Sequence, residues 1–558
     1  MKETIGGQIL TAKGIVICVL LLPVMFSSGA AEVLFELISP NEEYLGEFGC
    51  AVSGAGDING DGYGDFIIGA CSESSPSRVD FAGRTYLIDG LTGKLQQTLT
   101  STNPDICGQF GCAVSGAGDI NGDGYDDVIV GAHGEYPGGR VYAYDGLTGD
   151  VIQWFLSPNP AQYLGGFGYS VSGIGDVDGD GHNDVLIGAP HDHESGRVYI
   201  FERDSHGMPR TLISPNEEET GNFGCSVSYV GDTDGDECDD IVVGAWAEDP
   251  GISPELAGRA YVFDGYSGIL RHTIISPNEE ENGGFGNVVS GAGDVNGDGY
   301  ADVIVGAWRE DPGSAPDNAG RAYVYDGHTG DLIHSLISPN EQEAGRFGNA
   351  VSSAGDVNGD GYADVLVGTF GESQEGSPDG AGIAYIFDGK TGKMIHKLVS
   401  PNEEDGGEFG SAVSGESAAG DGPLFVVVGA QWEDPGTSPG AAGRAYVFSW
   451  MNLAAELSGS SLKLQWIPWF PAYEYWIYGA ENTPYFQPGL APGYAYKLDE
   501  VSASSTVWSG DEGVGDSYTN WTYLIIAVNP MEEELARTNR SGEWDFGLDI
   551  PDSPMNKH

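Results

Sequence analysis

The chain has 558 residues, and its 84 aspartates and glutamates against 23 lysines and arginines give it a formal net charge of −61. Such an acidic chain excludes most nucleic-acid binding, which needs clustered basic side chains along the phosphate backbone. Because 40% of the residues are apolar and 11% are aromatic, the chain has enough hydrophobic side chains for a folded core, which argues against extended disorder.

The N-terminal segment has the composition of a secretory signal. Residues 1–13 carry Lys2 and Lys13, residues 14–26 form a short apolar run, and small residues precede Ala31. This run is too short to span a bilayer comfortably, and the order basic, apolar, small is that of a cleaved signal peptide. We therefore expect residues 1–30 to be removed, no membrane span in the mature chain, and a secreted or cell-surface protein; an uncleaved anchor is the alternative.

Residues 31–450 contain a sevenfold repeat. A Phe-Gly pair recurs every 56 to 62 residues, and the variation in length falls in one loop. Each copy reads as four short strands: a small-residue segment such as FGCAVSGAG, an apolar β-branched run that ends in Gly-Ala or Gly-Thr, an alternating GRxY-type segment, and a fourth strand after an Asp-Gly turn. The pairs begin at Phe48, Phe110, Phe167, Phe223, Phe285, Phe347 and Phe409.

This repeat predicts an all-β fold, a seven-bladed β-propeller, because a four-stranded sheet needs neighbours on both sides to bury its faces. The fourth strand usually ends in Ser-Pro-Asn. One such sequence (residues 37–41) stands before the first Phe-Gly pair, and none follows the last third strand (residues 443–450). We therefore predict that the N-terminal strand completes blade seven and closes the ring.

Six copies carry a nine-residue acidic loop between the first and second strands. Oxygen-bearing side chains stand at positions one, three, five and nine, and the carbonyl of position seven can add a ligand. Crowded carboxylates repel one another unless a cation neutralises them, and an all-oxygen donor set favours Ca²⁺ over Mg²⁺ or Zn²⁺. We predict about six Ca²⁺ sites; metal-free Asp-Gly turns are the alternative. The predicted ligands are Asp57, Asn59, Asp61, Tyr63, Asp65; Asp119, Asn121, Asp123, Tyr125, Asp127; Asp176, Asp178, Asp180, His182, Asp184; Asp232, Asp234, Asp236, Cys238, Asp240; Asp294, Asn296, Asp298, Tyr300, Asp302; and Asp356, Asn358, Asp360, Tyr362, Asp364.

Two copies depart from the loop pattern. Position six is Gly in five loops, where the chain must bend sharply, but copy four has Glu237 there, so its loop is expected to be the weakest site. In copy seven Ala418 replaces the first ligand and Asp421 is the carboxylate that remains, so blade seven is expected to bind no metal.

These motifs resemble the FG-GAP repeats that build the seven-bladed propeller of integrin α subunits. The resemblance covers roughly residues 33–450 and rests on the Phe-Gly pairs, the DxNGDGxxD-type loops and the Gly-Ala pairs. It implies that the aspartate loops bind calcium on one face, while the opposite face, which here would hold the SPNEE connections and loops 246–259 and 308–321, contacts partners. The third residue of Gly-Ala-Pro is kept only at Pro190, and no inserted von Willebrand-type domain is found, so heterodimerisation is not implied.

The remaining sequence changes character. Tyrosine and tryptophan become dense in residues 451–548, and LKLQW, YEYWIYGA and YLIIAVN are typical of strands between Pro, Gly and Ser turns. Their order resembles a fibronectin type III domain, which predicts a small β-sandwich of spacer or adhesive type. Residues 549–558 are expected to form a C-terminal tail.

Taken together, these features predict an exported, calcium-binding module for binding or adhesion, a monomer with an extracellular protein or carbohydrate ligand. An extracellular hydrolase, phospholipase-like or glycan-active, is the alternative: His191, Asp192, His193 and Glu194 form the densest catalytic candidate. A structural spacer is the third possibility. No convergent catalytic set is found, so no enzyme is predicted. Cys50 and Cys71 lie on opposite arms of one predicted hairpin and are the first disulfide pair to test.

Overall fold

The computed structural model describes residues 32–449, apart from 160–164, 180, 203–207, 237, 250–253, 312, 314–315, 418–423 and 435–439. It also describes the backbone of the short strands Thr11–Ala12 and Ile15–Val16 and of six strands beyond residue 452. The rest of the predicted signal and the predicted tail lie outside the described residues.

Residues Glu32–Ser449 form one compact unit that contains seven four-stranded antiparallel sheets. Within each sheet, neighbouring strands follow one another along the chain, except where blade seven takes its fourth strand from the N-terminal segment. The strands are Phe48–Gly56, Asp65–Ala70, Arg84–Ile88 and Leu95–Leu99 in blade one; Ala113–Gly118, Asp127–Ala132, Arg140–Tyr144 and Val151–Leu156 in blade two; Ser170–Ile174, Asp184–Ala189, Arg197–Phe201 and Arg210–Leu212 in blade three; Val227–Gly231, Asp240–Ala245, Arg259–Phe263 and Leu270–Ile274 in blade four; Phe285–Gly293, Asp302–Ala307, Arg321–Tyr325 and Leu332–Leu336 in blade five; Ala350–Gly355, Asp364–Thr369, Ile383–Phe387 and Met394–Leu398 in blade six; and Phe409–Ser417, Leu424–Ala430, Arg444–Ser449 and Glu32–Ile38 in blade seven. The predicted all-β, seven-bladed propeller is confirmed.

The second strand of each blade lies between two hydrophobic cores. In blade two, Val128 and Val130 pack in the cluster shared with blade one, whereas Ile129 packs in the cluster shared with blade three. This explains the nearly continuous apolar sequence of the second strands, because a strand buried on both faces has no solvent side to make polar. Sheet-to-sheet burial of this kind is the main stabilising contribution in a propeller.

The Phe-Gly pair fixes each blade to the one before it. Phe48 is fully buried, and its amide donates to the carbonyl of Ala442 in blade seven at 2.8 Å. Gly49 has φ +89°, and a Cβ there would lie 2.2 Å from the carbonyl oxygen of Arg444. The pair therefore combines an apolar anchor with a backbone approach that only glycine permits.

The ring closes through the N-terminal strand. Glu32–Ile38 pairs antiparallel with Arg444–Ser449, the third strand of blade seven, with Leu37 opposite Ala445. The predicted closure is confirmed: the fourth strand of blade seven comes from the N-terminal end of the unit and pairs with what would otherwise be an open sheet edge.

Each blade boundary also contains a buried polar cluster, which we call the interblade clasp. It consists of the Ser that follows one fourth strand, an acid three residues after the Gly-Ala or Gly-Thr pair of the next blade, and a third-strand Tyr of that next blade. At the boundary between blades one and two, the Ser101 hydroxyl donates to Glu135, and the Tyr142 hydroxyl donates to Glu135 at 2.6 Å. The seven acids, all at most 1% exposed, are Glu73, Glu135, Asp192, Glu248, Glu310, Glu372 and Glu433.

The strands beyond the propeller form two three-stranded sheets. One contains Leu453–Ser458, Ser461–Trp466 and Val507–Gly510, and the other contains Glu474–Glu481 between Tyr496–Ser502 and Trp521–Val528. Their antiparallel pairing agrees with the predicted strands in this region. The fibronectin type III-like sandwich stays a prediction.

Candidate metal centre

The six acidic loops lie at one end of the blades. In blade one, Gly56 pairs with Asp65 at the loop end of the first hairpin, whereas Phe48 pairs with Ala70 at the other end. The same register recurs in blade five, where Gly293 is opposite Asp302. Because the strands of all blades run in the same order, the loops share one face, and the turns after the second strands share the opposite face.

Blade five shows how a loop is wrapped. Both oxygens of Asp294 accept backbone amide hydrogens, from Gly297 at 2.6 Å and from Gly299 at 2.9 Å. Asn296 accepts from the amide of Asp298 at 2.8 Å, and Asp298 accepts from that of Tyr300 at 2.9 Å. Gly299, at position six, has φ +91°, so the sharp bend predicted there requires glycine. These local bonds draw the oxygen-bearing side chains into one turn.

The carboxylate at position nine is buried and holds two segments together. Asp302 is fully buried; one of its oxygens accepts from the amide of Val295 at 2.9 Å, and the other accepts from Gly327, in the turn before the fourth strand, at 3.1 Å. Burial, reinforced by the charges of Asp326 and Asp298, raises the pKa of Asp302 to about 7. Burial likewise raises the pKa of Asp65 to about 8 and those of Asp127 and Asp364 to about 7. A nearby cation would favour the charged form of such groups.

Ligand atoms of the predicted residues converge in two loops where position three is Asp. Carboxylate oxygens of Asp176, Asp178 and Asp184 lie within 4.8 Å of one another, as do those of Asp232, Asp234 and Asp236. The other four loops have Asn at position three, which offers an amide oxygen instead. Carboxylate and amide oxygens around one turn are the donor set of a Ca²⁺ site, so the described residues fit this ion.

The sequence analysis missed one acidic residue near each of several loops. The Asp of the Asp-Gly turn between the third and fourth strands lies beside the loop: the Asn296 amide nitrogen is 3.4 Å from Asp326, and that of Asn121 is 3.3 Å from Asp145. Asp89 of blade one contributes, after burial, to raising the pKa of Asp61. The recurrent Asp-Gly dipeptide was the available signal, but it was assigned to turn formation alone.

Neighbouring loops contact each other around the face. The position-seven Tyr of one loop lies against the position-four Gly of the preceding loop: a Cβ on Gly60 would be 2.6 Å from the ring of Tyr125, and one on Gly297 would be 2.5 Å from the ring of Tyr362. In addition, Asp126 accepts from the amide of Asp57 in the preceding loop at 2.7 Å. The loops are therefore coupled pairwise rather than independent.

Blade four carries a positive charge of its own. The Arg271 guanidinium, on the fourth strand, forms an ion pair with the Asp234 carboxylate. In blade five the same position of the fourth strand is Ile333. The predicted weakness of loop four was based on Glu237; the ion pair of Arg271 is a second reason that the sequence pattern did not reveal.

Some predicted positions lie outside the described residues. These are Asp180 of loop three, Glu237 of loop four, and residues 418–423 of blade seven, which include Ala418 and Asp421. The other predicted ligands all lie in the six loops. Their assignment as ligands, including that of the position-seven carbonyls, stays a prediction.

The structure also places the catalytic candidate Asp192 and the disulfide candidate Cys50–Cys71. Asp192 occupies the acid position of the interblade clasp, where the Tyr199 hydroxyl donates to it at 2.5 Å and the Asn159 amide donates at 2.8 Å. Its carboxylate therefore stabilises a blade boundary. Cys50 and Cys71 are adjacent, with the Cys71 amide 3.3 Å from the Cys50 sulfur, but both are free thiols in the structure.

Comparison with known proteins agrees with this architecture. The FG-GAP repeat family matches residues 48–88, 110–144, 167–201, 285–325 and 347–387, which are the first to third strands of blades one, two, three, five and six. Five of the seven blades thus match FG-GAP repeats. The matched blades are ones with an acidic loop between their first and second strands.

Integrin α subunits are homologous to this chain. It is 31% identical to integrin alpha-5 of Xenopus laevis over 275 residues, which are 46% of the chain and 25% of the relative. It is 32% identical to integrin alpha-2 of Bos taurus over 227 residues (38% and 18%), and 30% identical to integrin alpha-8 of Gallus gallus over 241 residues (40% and 21%). The chain thus spans a quarter or less of the length of these relatives. Among the described residues, no helix is both long and apolar enough to cross a bilayer.

Proposed function

We propose that this protein is an exported FG-GAP propeller that binds Ca²⁺ at one face and uses the other face for binding or adhesion at the cell surface or in the extracellular matrix. The observation that supports the proposal is the difference between the loops at the two faces. Six acidic loops, each in contact with a neighbouring loop, occupy one end of the blades, while the turns after the second strands, at the opposite face, vary in length from blade to blade. Variable loops on a rigid scaffold are a common arrangement of binding surfaces.

The predicted ligands suit a structural role for the metal. When bound, Ca²⁺ would neutralise the clustered carboxylates and cross-link positions one to nine of a loop. In blade five the residues that would hold it are Asp294, Asn296, Asp298 and Asp302, and Asp302 already joins the loop to the turn before the fourth strand. Stabilising the loop would therefore stabilise the hairpin beside it.

The surroundings of the His191–Glu194 segment, the catalytic candidate, do not favour an enzymatic function. Asp192, one of the two acids of the His191–Glu194 segment, is engaged in the interblade clasp, and its carboxylate lies 4.0 Å from the His193 ring nitrogen. A buried acid that already accepts two hydrogen bonds is poorly suited as a general base. We therefore place the function in binding, with export inferred from residues 1–30.

The test is a binding screen of the full chain against glycans and matrix proteins, in calcium and in chelator. We expect retention of at least one ligand by the calcium-loaded protein and weaker retention after chelation. Elemental analysis of the same preparation gives the number of bound calcium ions. A folded, calcium-loaded protein that retains no ligand would favour the spacer function, and a folded protein without alkaline-earth metal would contradict the metal sites.

A further inference from the structure

Two arginines share one indole ring on the face opposite the acidic loops. Arg309 follows the second strand of blade five, and its guanidinium carbon lies 4.0 Å from the centre of the Trp308 ring. Arg346 directly precedes the Phe-Gly pair of blade six, and its guanidinium carbon lies 5.0 Å from the Trp308 ring and 5.0 Å from the Phe370 ring. Cation–π contact holds both groups in place while their polar edges stay available.

Most arginines in the described part of the chain contact a carboxylate, but this pair, like Arg78 and Arg259, does not. Seven other arginines lie within ion-pair distance of a carboxylate. Within the described part of the chain, neither Arg309 nor Arg346 does so. Arg346 interacts electrostatically with Glu408: burial raises the pKa of that carboxyl group, and the hydrogen bond from Gln431 at 2.7 Å and the charge of Arg346 oppose the rise. Two adjacent cations thus remain without a contacting anion on a protein with net charge −61.

Backbone hydrogen bonds fix the positions of both arginines. Arg346 has φ 58°, and its amide donates to the Asn318 carbonyl at 3.1 Å. The Arg309 amide donates to the Gly283 carbonyl at 3.3 Å. A non-glycine residue in the left-handed region is strained, and the surrounding structure must hold it.

The same left-handed position occurs before each Phe-Gly pair, and in five of the seven blades it carries a side chain. The seven residues are Glu47, Gln109, Gly166, Asn222, Gly284, Arg346 and Glu408. The nearest positions on one side of Arg346, going round through blades seven and one, are acidic. A uniformly anionic polymer that reached the two arginines would therefore also meet Glu408 and Glu47, and this unfavourable contact disfavours it.

We propose that Arg309 and Arg346 form a binding site for an isolated carboxylate on a partner protein segment. A planar guanidinium donates two parallel hydrogen bonds to a carboxylate, and stacking on Trp308 lowers the entropy lost on binding. The acidic neighbours select a ligand whose negative charge is confined to one side chain. The inference rests on the proposed binding face and names the chemistry that this face recognises.

The test uses immobilised Gly/Ser peptides that each carry one Asp or Glu, with Asn and Gln counterparts and polygalacturonate as separate arms. We expect the full chain, in calcium, to be retained more strongly by the carboxylate peptides. Arg309→Ala and Arg346→Ala should each reduce that preference about tenfold. Arg309→Lys and Arg346→Lys keep the positive charge and are less disruptive, and each should retain only part of the preference for carboxylate peptides.

Lys390→Ala is the matched control. Lys390 also stacks on an aromatic ring, 4.1 Å from that of Tyr362, but on the face of the acidic loops, so its removal should leave the preference unchanged. Equal retention of carboxylate and amide peptides, an effect of Lys390→Ala as large as that of the arginine variants, or stronger retention by polygalacturonate would each overturn the proposal. If the screen of matrix ligands still succeeds in that case, the binding function stands and only this site is wrong.

Discussion

Blades four and five differ in the charges that surround the clustered carboxylates of their acidic loops. In both acidic loops the first aspartate accepts a hydrogen bond from the backbone amide of the residue at position four, which is Gly235 in blade four and Gly297 in blade five. In blade four Arg271 supplies a positive charge to Asp234, whereas blade five has Ile333 at the equivalent position and no side-chain cation contacts its loop within the described residues. The comparison indicates that a positive charge beside the loop carboxylates can come from a side chain as well as from the metal ion that we propose. Where the chain provides no cation, we expect a metal ion to supply the positive charge.

The largest expected effect is that of removing the metal from all loops. We expect a chelator to lower the melting temperature by about 10 °C or more, since each saturated site contributes roughly 2.7 kcal/mol at a hundredfold excess over Kd. Differential scanning calorimetry, with calcium added back, measures it. An unchanged transition after verified metal removal would show that internal charges suffice in every blade.

A second prediction separates the structural role of a carboxylate from its role as a ligand. Asp302→Ala removes a buried group that holds two backbone amides, so we expect a loss of about 3 kcal/mol even in chelator. Asp298→Ala should remove one ion and should have little effect on stability once metal is absent. Chemical denaturation of both variants, with and without calcium, decides this. Equal losses in chelator would contradict the distinction.

The third prediction concerns pH and the interblade clasp beside blade five. Burial raises the pKa of Glu310 from 4.5 to about 7, despite hydrogen bonds from Ser276 and Tyr323. Because the folded-state pKa is raised, the contribution of this group to stability is full below pH 4.5 and is lost as the pH rises to about 7. In chelator, Glu310→Gln should therefore flatten the fall in stability across this window by up to about 1.4 kcal/mol per pH unit. Parallel profiles for both proteins would refute the assignment.

The smallest effect should come from exchanging the residue that distinguishes the two blades. Arg271→Ile is expected to strengthen metal binding at loop four, and Ile333→Arg to weaken it at loop five, each by about 1 kcal/mol because the site is partly exposed to solvent. Calorimetric titration of both variants provides the measurement, and each serves as the control for the other. Shifts in the same direction for both variants would contradict the contrast between blades four and five.

The sequence predicted the architecture well because its signals are local and repeated. The burial of the second strands, the loop positions and the closure by residues 32–38 follow from periodicity and from counting Ser-Pro-Asn copies. Features that depend on contacts between distant segments, within one blade or between two blades, were not predictable in this way. Arg271 lies 37 residues from Asp234, and Ser101 meets Glu135 only because two blades pack together. Their partners are set by the three-dimensional arrangement, which no single-copy pattern encodes.

Closure by the N-terminal strand has a consequence for how the propeller unfolds. A linear array of repeats has end units that fray first, because each lacks one neighbour. Here blade seven is completed by Glu32–Ile38, and Ser39, directly after that strand, donates to Glu73 of blade one, so every blade has two neighbours and none is terminal. Losing this one strand would convert the ring into an open array, and melting would change from a single cooperative transition to a gradual one that begins at blades one and seven.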